Sequence, residues 1–306
     1  MFNNKFALIG LGAIGTPIAH KLYNVYHDNF YLIASGVIRS ELENADIVIN
    51  GEDYSPTIIS TIGEIQSEID VLIVCVKNYD LNSALIDIQN IISDKTIILP
   101  LQNGIYSYNF FCEHFPKNQI IQGYVQGPNT QKHENLVTYS NPGVMHIGNS
   151  GRTSPNCIEQ VYNSFKLAGI DVLIEDNIKK MVWKKWMLNV AGNYVTALTG
   201  ADYSKFKKID ELKQVCRESM NEFLKVAMAE KIDLDNNDIE DIINYYVTYK
   251  GTKKTSMLED VLNKRKTEND YLAGNLIALA DKYNIEVPIT KTLFFLIKIK
   301  EKIYFN

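Results

Sequence analysis

A glycine-rich turn near the start of the chain constrains the possible folds more than any other feature. The apolar run at residues 5–9 predicts a buried parallel strand before the turn, and the spacing of Ile18 and Leu22 predicts a helix after it. Strand, glycine turn and helix in this order predict a dinucleotide site with the pyrophosphate at the helix N-terminus. A purely steric turn is the alternative. The turn reads Gly10-Leu11-Gly12-Ala13-Ile14-Gly15.

Each glycine of the turn has its own expected task. Gly10 permits the tight turn, Gly12 lets the backbone approach a pyrophosphate, and Gly15 lets the helix pack closely on the strand. The helix N-terminus then offers N–H groups and the positive end of its dipole to the phosphates.

Apolar periodicity divides the chain into two parts. Up to about residue 175, short apolar runs alternate with helical patterns, which is typical of a doubly wound α/β sheet. Strands are expected at residues 5–9, 30–34, 48–50, 57–61, 69–76, 96–99, 120–121, 144–147 and 172–174, and helices at 80–92 and 157–168. The sheet is expected to become mixed toward its end.

After residue 175 the pattern becomes almost entirely helical. We therefore predict an α/β protein with an N-terminal Rossmann-type dinucleotide-binding domain at 1–175 and an all-helical substrate and catalytic domain at 176–306. In such a plan the substrate lies in the cleft between the domains. Helices are expected at 178–198, 209–230, 237–249, 256–283 and 290–303.

Charge and composition exclude several classes of partner. A net charge of -5 over 306 residues argues against nucleic acid as the main partner. No run is apolar enough for a membrane span and no signal peptide is recognised, so we expect a cytoplasmic protein. The cysteines form no C-x-x-C pair and no histidine has metal-ligand spacing, so we expect reduced thiols and no metal site. They are Cys75, Cys112, Cys157 and Cys216.

The end of the second strand bears on the choice of cofactor. Ser35 lies 20 residues beyond Gly15, where an NAD-binding fold places an acid on the ribose hydroxyls. Ser35 with the nearby Arg39 would instead suit a 2′-phosphate, which favours NADPH over NADH. A plain loop role for Ser35 is the alternative.

Polar residues follow two later strands and also line one helix. Lys77 and Asn103 come at strand ends, where open α/β sheets bind ligands, so we expect both at the cofactor and substrate. Lys185, Asn189 and Asn193 are spaced by four residues, which places them on one helical face. Because that helix is otherwise apolar, this stripe predicts a buried polar site, with a solvent-facing stripe as the alternative.

A set of motifs runs in order along the chain. They are the glycine turn at residues 10–15, Val76-Lys77, Gln102-Asn103-Gly104, Trp183-Lys184-Lys185 with Asn189 and Asn193, Thr255-Ser256-Met257-Leu258 with Asp260, and Lys266-Thr267-Glu268 with Asp270, Tyr271 and Gly274. Together these motifs cover nearly the whole chain and resemble those of the ketopantoate reductase family.

The resemblance implies a two-domain enzyme that reduces 2-dehydropantoate to (R)-pantoate with NADPH, in pantothenate biosynthesis. It implies that Lys185 is the general acid and that Glu268 pairs with or orients it. It also implies that Asn189, Asn193 and Ser256 hold the hydroxyl and carboxylate of the substrate. Hydride transfer builds negative charge on the ketone oxygen, which a nearby ammonium group can neutralise and protonate. An ordinary lysine, with a pKa of about 10.4, is charged at neutral pH and can supply that group. For Ser256 a helix N-cap is the alternative.

The sequence is compatible with two other functions. Many family members carry arginine at the end of the second strand, where this chain has Ser35 and the nearest arginine is Arg39. A reductase of another branched 2-keto acid, with NADH or NADPH as its cofactor, is therefore the first alternative function. A non-catalytic NADP-binding sensor is the second. The sequence leaves open whether the protein is a monomer or a homodimer.

Overall fold

The computed structural model describes residues 4–65, 68–133 and 135–305, and their contacts divide the chain into two compact units. The first unit comprises the chain up to Gln102 and again Ser107–Ile178. The second comprises Asn103–Tyr106 and the chain from Lys179 onward. Because the segment Asn103–Tyr106 belongs to the helical unit, the division differs from a single boundary in sequence at residue 175.

The first unit is built on a parallel five-stranded sheet with the order β5-β2-β1-β6-β7. In this sheet Phe6 pairs with Phe30 on one side and with Val71 on the other, so the strand that precedes the glycine turn is central. The strands are β1 (Phe6–Ile9), β2 (Phe30–Ile33), β3 (Val48–Ile49), β4 (Glu52–Asp53), β5 (Thr57–Ile59), β6 (Val71–Val74), β7 (Ile97–Pro100), β8 (Gln122–Gln126), β9 (Asn129–His133), β10 (Leu136–Asn141), β11 (Val144–Gly148) and β12 (Val172–Ile174).

Two smaller sheets complete the strands of this unit. One has the order β4-β3-β10-β9, and the other has the order β12-β11-β8. In the latter, β11 pairs parallel with β12 and antiparallel with β8, as expected for a mixed arrangement near residue 175. Helices α1 (Gly15–Tyr26), α2 (Gly36–Glu43), α3 (Leu81–Gln89), α4 (Tyr106–His114) and α5 (Pro155–Leu167) follow strands or connect them.

The second unit is helical and has its own apolar core. Trp183, Trp186 and Phe223 lie at the centre of this core in edge-to-face contact, and Trp186 is fully buried. Its helices are α6 (Ile178–Leu188), α7 (Tyr194–Thr199), α8 (Tyr203–Phe206), α9 (Asp210–Ala229), α10 (Asn236–Thr248), α11 (Ser256–Leu262), α12 (Ala273–Lys282) and α13 (Pro288–Phe305). A π-helical turn at Asn189–Asn193 joins α6 to α7.

The fold class is confirmed, but several elements differ from the prediction. The expected single helix at 256–283 is wrong, because α11 ends at Leu262 and α12 begins only at Ala273. Polar contacts hold the intervening loop: the Arg265 amide donates to the carbonyl of Asp260, and Thr267 donates to the Glu301 carboxylate. The helix expected at 178–198 contains the π turn. Strands β9 and β10 and helix α4 are additions that the sequence did not predict.

Two further findings concern the whole described chain. Among the described residues, no helix is both long and apolar enough to cross a membrane. The four cysteines form no disulfide with one another, and Cys75 lies directly beneath the glycine turn.

Candidate functional site

The glycine turn has the geometry that a bound pyrophosphate needs. Gly10 has a φ of +102°, and a Cβ placed on it would lie 2.5 Å from the backbone nitrogen of Val76. A Cβ on Gly15 would overlap the carbonyl oxygen of Gly10. A Cβ on Gly12, by contrast, would meet no atom within 4 Å. The outer two glycines therefore serve tight packing, and the middle one leaves an open approach to the backbone, so the turn fits a dinucleotide.

A strand that the sequence did not predict supports this turn. The hydroxyl of Thr130, on β9, donates to the carbonyl oxygen of Ala13 at 2.8 Å. The amide of Thr16 donates to the carbonyl of Gly12 at 3.0 Å, which starts helix α1, and Ile14 supplies no side-chain cap. A helix N-terminus without a side-chain cap has unpaired backbone amides to offer, and these are the groups that bind phosphate in dinucleotide sites.

Ser35 and Arg39 lie where the second strand passes into α2, but Arg39 is already engaged. Ser35 is the N-cap residue of α2, although its side chain makes no capping hydrogen bond. The Arg39 guanidinium donates to Glu43 at 2.7 Å and to Glu64 at 2.8 Å, and also to the hydroxyl of Ser60 at 3.1 Å. The cation proposed for a 2′-phosphate is therefore bonded to two carboxylates.

Lys77 and Asn103 fall in different units. Lys77 follows β6 and precedes a short 3₁₀ turn at Asn78–Asp80. The side chain of Gln102 donates to the carbonyl of Val76 at 3.0 Å and ties the ends of β6 and β7 together. Asn103 belongs to the helical unit, where it contacts the predicted polar stripe.

Four side chains of the helical unit form a hydrogen-bonded series that we call the polar row. The Asn189 amide donates to Asn103 at 3.2 Å, and the Asn193 amide lies 3.5 Å from both Asn189 and Ser256. Asn189 and Asn193 are almost fully buried, with 4% and 3% exposure. The stripe therefore does not face solvent as the alternative required. The polar row consists of Asn103, Asn189, Asn193 and Ser256.

The π turn determines how this row is aligned. In a regular helix, residues four apart are offset by about 40°. Because a π turn has more residues per turn, it rotates Asn193 back toward the line of Lys185 and Asn189. The Tyr246 hydroxyl donates to the Leu188 carbonyl at 2.6 Å, at the start of the turn. A Cβ on Gly192 would overlap that hydroxyl, so glycine is required there.

Ser256 lies at the polar row, and its neighbour Thr255 has the capping role that was the alternative for Ser256. The N-cap of α11 is Thr255, whose hydroxyl accepts from the Leu258 amide and lies 2.7 Å from the hydroxyl of Thr196. The alternative interpretation of Ser256 as the helix N-cap is therefore wrong. Ser256 is exposed, and its hydroxyl is directed to Asn193.

Lys185 is a cation without a counter-ion. It lies one turn before Asn189 and is only partly exposed, and no side chain in the described parts of the chain forms an ion pair or hydrogen bond with it. Burial and the positive charge of Lys253 lower the pKa of Lys185 to about 8. The adjacent Lys184 is different, because it pairs with Asp238 at 2.8 Å and with Asp241 at 2.7 Å.

In the described parts of the chain no hydrogen bond or ion pair joins Glu268 to Lys185, and the expectation that Glu268 orients Lys185 stays a prediction. Glu268 is 6% exposed and lies in the loop between α11 and α12. Thr267 is fixed to Glu301, and the Asn269 side chain donates to the carbonyl of Phe294 at 3.1 Å. These hydrogen bonds fix the two residues that flank Glu268 in the loop.

Sequence reasoning missed four residues that shape the site. Thr130 gave no signal, because its strand is polar and has no apolar alternation. The role of Tyr246 is invisible because it contacts Leu188 across 58 residues. A glycine inside an apolar helical pattern was the one available sign of the π turn. The four residues are Thr130, Tyr246, Gly192 and Glu64.

The first unit has a glycine turn that fits a dinucleotide, and the helical unit has a lysine beside a buried polar row. These two features together are typical of one class of protein, the oxidoreductases that use a nicotinamide dinucleotide. Two family models give the class a name: ketopantoate reductase PanE/ApbA matches residues 6–152 and its C-terminal domain matches residues 177–301. The chain belongs to the ketopantoate reductase family. This confirms the resemblance noted in its motifs.

Individual relatives agree with this assignment. The chain is 28% identical to a 2-dehydropantoate 2-reductase of Pyrococcus horikoshii over 302 residues, with 98% of each chain covered. It resembles a dimeric ketopantoate reductase from Staphylococcus aureus with a TM-score of 0.81 and 22% identity, covering 98% of this chain and 99% of that one. It also resembles D-mandelate dehydrogenase bound to NADH and anilino(oxo)acetate, with a TM-score of 0.87 and 23% identity, covering 99% and 100%. These two structural likenesses concern the fold alone.

Proposed function

We propose that the protein reduces 2-dehydropantoate to (R)-pantoate with a reduced nicotinamide dinucleotide. One observation carries this proposal: Lys185 is partly buried, has no counter-ion in the described part of the chain, and lies one helical turn from a hydrogen-bonded row of amide side chains. The curated relatives named 2-dehydropantoate 2-reductase support this choice of substrate.

Lys185 acts as the general acid in this reaction. A reduced nicotinamide dinucleotide, with its pyrophosphate held at the glycine turn, would supply the hydride to the carbonyl carbon. Negative charge then develops on the carbonyl oxygen, and the Lys185 ammonium stabilises it and transfers a proton from Nζ. With a pKa of about 8, Lys185 is mostly protonated at neutral pH yet is a better acid than an exposed lysine.

The polar row positions the substrate. Asparagine side chains offer both a donor and an acceptor, which suits a hydroxyl group and a carboxylate held side by side. Asn103, Asn189 and Asn193 are joined by hydrogen bonds of 3.2 and 3.5 Å, which a substrate can replace with its own at small cost. The positive charge of Lys253 favours an anionic substrate near Lys185.

Another branched 2-keto acid is the second candidate substrate. The likeness to D-mandelate dehydrogenase favours it, because that structure contains NADH and an oxo-acid analogue on the same fold. A non-catalytic sensor is less well supported, because a sensor needs neither an unpaired buried lysine nor the polar row.

The decisive experiment follows the oxidation of NADH and of NADPH with 2-dehydropantoate, 2-ketoisovalerate and 2-ketoisocaproate, each at the same concentration. The highest kcat/KM with 2-dehydropantoate is the result expected. A higher value with either other acid would move the enzyme to that substrate class. Dinucleotide binding without turnover of any acid would favour the sensor.

The assembly is a separate proposal. The dimeric relative from Staphylococcus aureus supports a homodimer. Light scattering coupled to size-exclusion chromatography measures the mass directly, and a mass of one chain, 34.8 kDa, would exclude the dimer.

A further inference from the structure

The end of strand β2 lacks an acid, but a carboxylate reaches this region from the neighbouring strand. Strand β5 lies beside β2, and the Ala34 amide donates to the Ile59 carbonyl where the two strands end. Glu64 follows β5 by five residues and bonds Arg39 at 2.8 Å. Arg39 also contacts Ser35, because its amide donates to the Ser35 carbonyl. The ion pair with Arg39 therefore brings Glu64 to the region where β2 ends.

The Glu64 carboxylate is fixed in place. Its Oε1 atom accepts hydrogen bonds from the Ser60 amide at 2.9 Å, the Ser60 hydroxyl at 2.8 Å and the Thr61 amide at 3.1 Å. Its Oε2 atom accepts from Arg39. These bonds lower the pKa of Glu64 to about 2, so the group is negatively charged throughout the physiological range.

The local charge balance disfavours a second anion. Arg39 contributes one positive charge, whereas Glu43 and Glu64 contribute two negative charges within 2.8 Å of it. A phosphate monoester brings about 1.5 to 2 further negative charges. A 2′-phosphate at Arg39 would have to displace Glu64 from four hydrogen bonds or remain beside it.

We propose that Glu64 selects NADH over NADPH, by presenting a carboxylate to the adenosine ribose and by occupying Arg39. A carboxylate at this edge of the sheet accepts a hydrogen bond from a ribose hydroxyl in NAD-binding folds. The same carboxylate repels a 2′-phosphate, so selectivity comes from an attractive and a repulsive element together. The inference rests on the proposed function only in requiring that the protein binds a nicotinamide dinucleotide, and it reverses the preference predicted from Ser35 and Arg39.

The test measures binding without any keto acid. The Kd values of NADH and NADPH are determined by calorimetry with the full-length protein, its Glu64→Gln variant and the double variant Glu64→Gln/Arg39→Gln. We expect the wild-type protein to bind NADH at least about tenfold more tightly than NADPH. Glu64→Gln should weaken NADH binding, strengthen NADPH binding and move the ratio of the two Kd values by about tenfold or more. The double variant should lose the gain for NADPH, because the freed guanidinium is then absent.

Matched controls separate this effect from general damage. Glu43→Gln removes the more exposed carboxylate, with its side chain 47% exposed, and should move the ratio much less than Glu64→Gln. Wild-type protein that binds NADPH as tightly as NADH overturns the inference, even if Glu64→Gln does not fold. An unchanged Kd ratio in folded Glu64→Gln also overturns it. Failure to turn over any 2-keto acid, with the NADH preference intact, contradicts the proposed function alone.

Discussion

Two consecutive lysines on helix α6 have opposite environments. Lys184 forms ion pairs with Asp238 and Asp241, whereas Lys185 has no counter-ion among the residues described. Lys185→Ala should lower turnover by about 10²- to 10⁴-fold, because the general acid is removed, and should leave the Kd of the dinucleotide nearly unchanged. Lys184→Ala is the matched control and should retain turnover. Wild-type turnover in Lys185→Ala would exclude Lys185 from the mechanism.

The environment of Lys185 also predicts how activity depends on pH. Burial and the charge of Lys253 lower its pKa to about 8, and the reduction needs the protonated form. The value of kcat/KM for reduction should therefore be constant below about pH 8 and fall about tenfold per pH unit above it. Lys253→Ala removes a like charge, so the pKa should rise and the falling limb should move to higher pH. A profile that stays flat well above pH 8 would contradict the assignment.

The π turn is the element that converts a sequence spacing into an aligned row of side chains. Tyr246→Phe removes the hydroxyl that bonds the Leu188 carbonyl in the core. We expect a loss of about 0.5–1.5 kcal/mol in the free energy of unfolding, measured by urea denaturation. Because Asn193 is then no longer held in line with Asn189, kcat/KM should fall further than stability alone explains. If the variant were destabilised but its folded fraction kept full activity, the π turn would not be needed to align the site.

The strands and helices differ in how well their own sequences predict them. Strands β1, β2 and β6 are short uninterrupted apolar runs, and burial on both faces of a parallel sheet demands that pattern. Strands β9 and β10 are polar and exist through their pairing with each other, which no local pattern records. The loop between α11 and α12 is held by Glu301, a residue distant in sequence. Local periodicity therefore predicts the main sheet and misses the elements fixed by distant polar contacts.

The residues of the candidate site also differ in how well the sequence predicts them. Lys185, Asn189 and Asn193 could be predicted from their spacing on an apolar helix, because buried polar residues need partners. Asn103 and Ser256 join that row through hydrogen bonds across 86 and 63 residues. The position of Asn103 at a strand end predicted a ligand site but not this row, and the family resemblance suggested Ser256. Arg39 was predicted from proximity to Ser35, but its bond to Glu64 depends on the adjacency of two strands. The catalytic and binding roles of these residues stay predictions.

At the scale of the whole molecule, the chain builds two cores and places one group of ligand-binding features on each. The core of the first unit includes Phe6 and Leu8 of β1, and that of the second includes Trp186 and Phe223. The segment Asn103–Tyr106 leaves the first unit and joins the second. The two units are therefore not consecutive in sequence, and full-length protein is the appropriate material for measurements of unfolding.

Cofactor binding should be visible in the unfolding of the full-length protein, and two glycines of one turn should respond differently to substitution. A ligand at 100 times its Kd stabilises the native state by about 2.7 kcal/mol, so NADH should raise the Tm of wild-type protein. Gly12→Val places its side chain in open space, so the Tm without NADH should change little, while the rise with NADH should disappear because the pyrophosphate approach is filled. Gly15→Ala is the contrasting variant: its Cβ overlaps the Gly10 carbonyl, so the Tm should already fall without NADH. If Gly12→Val kept the full stabilisation by NADH, the pyrophosphate would have to bind away from this turn.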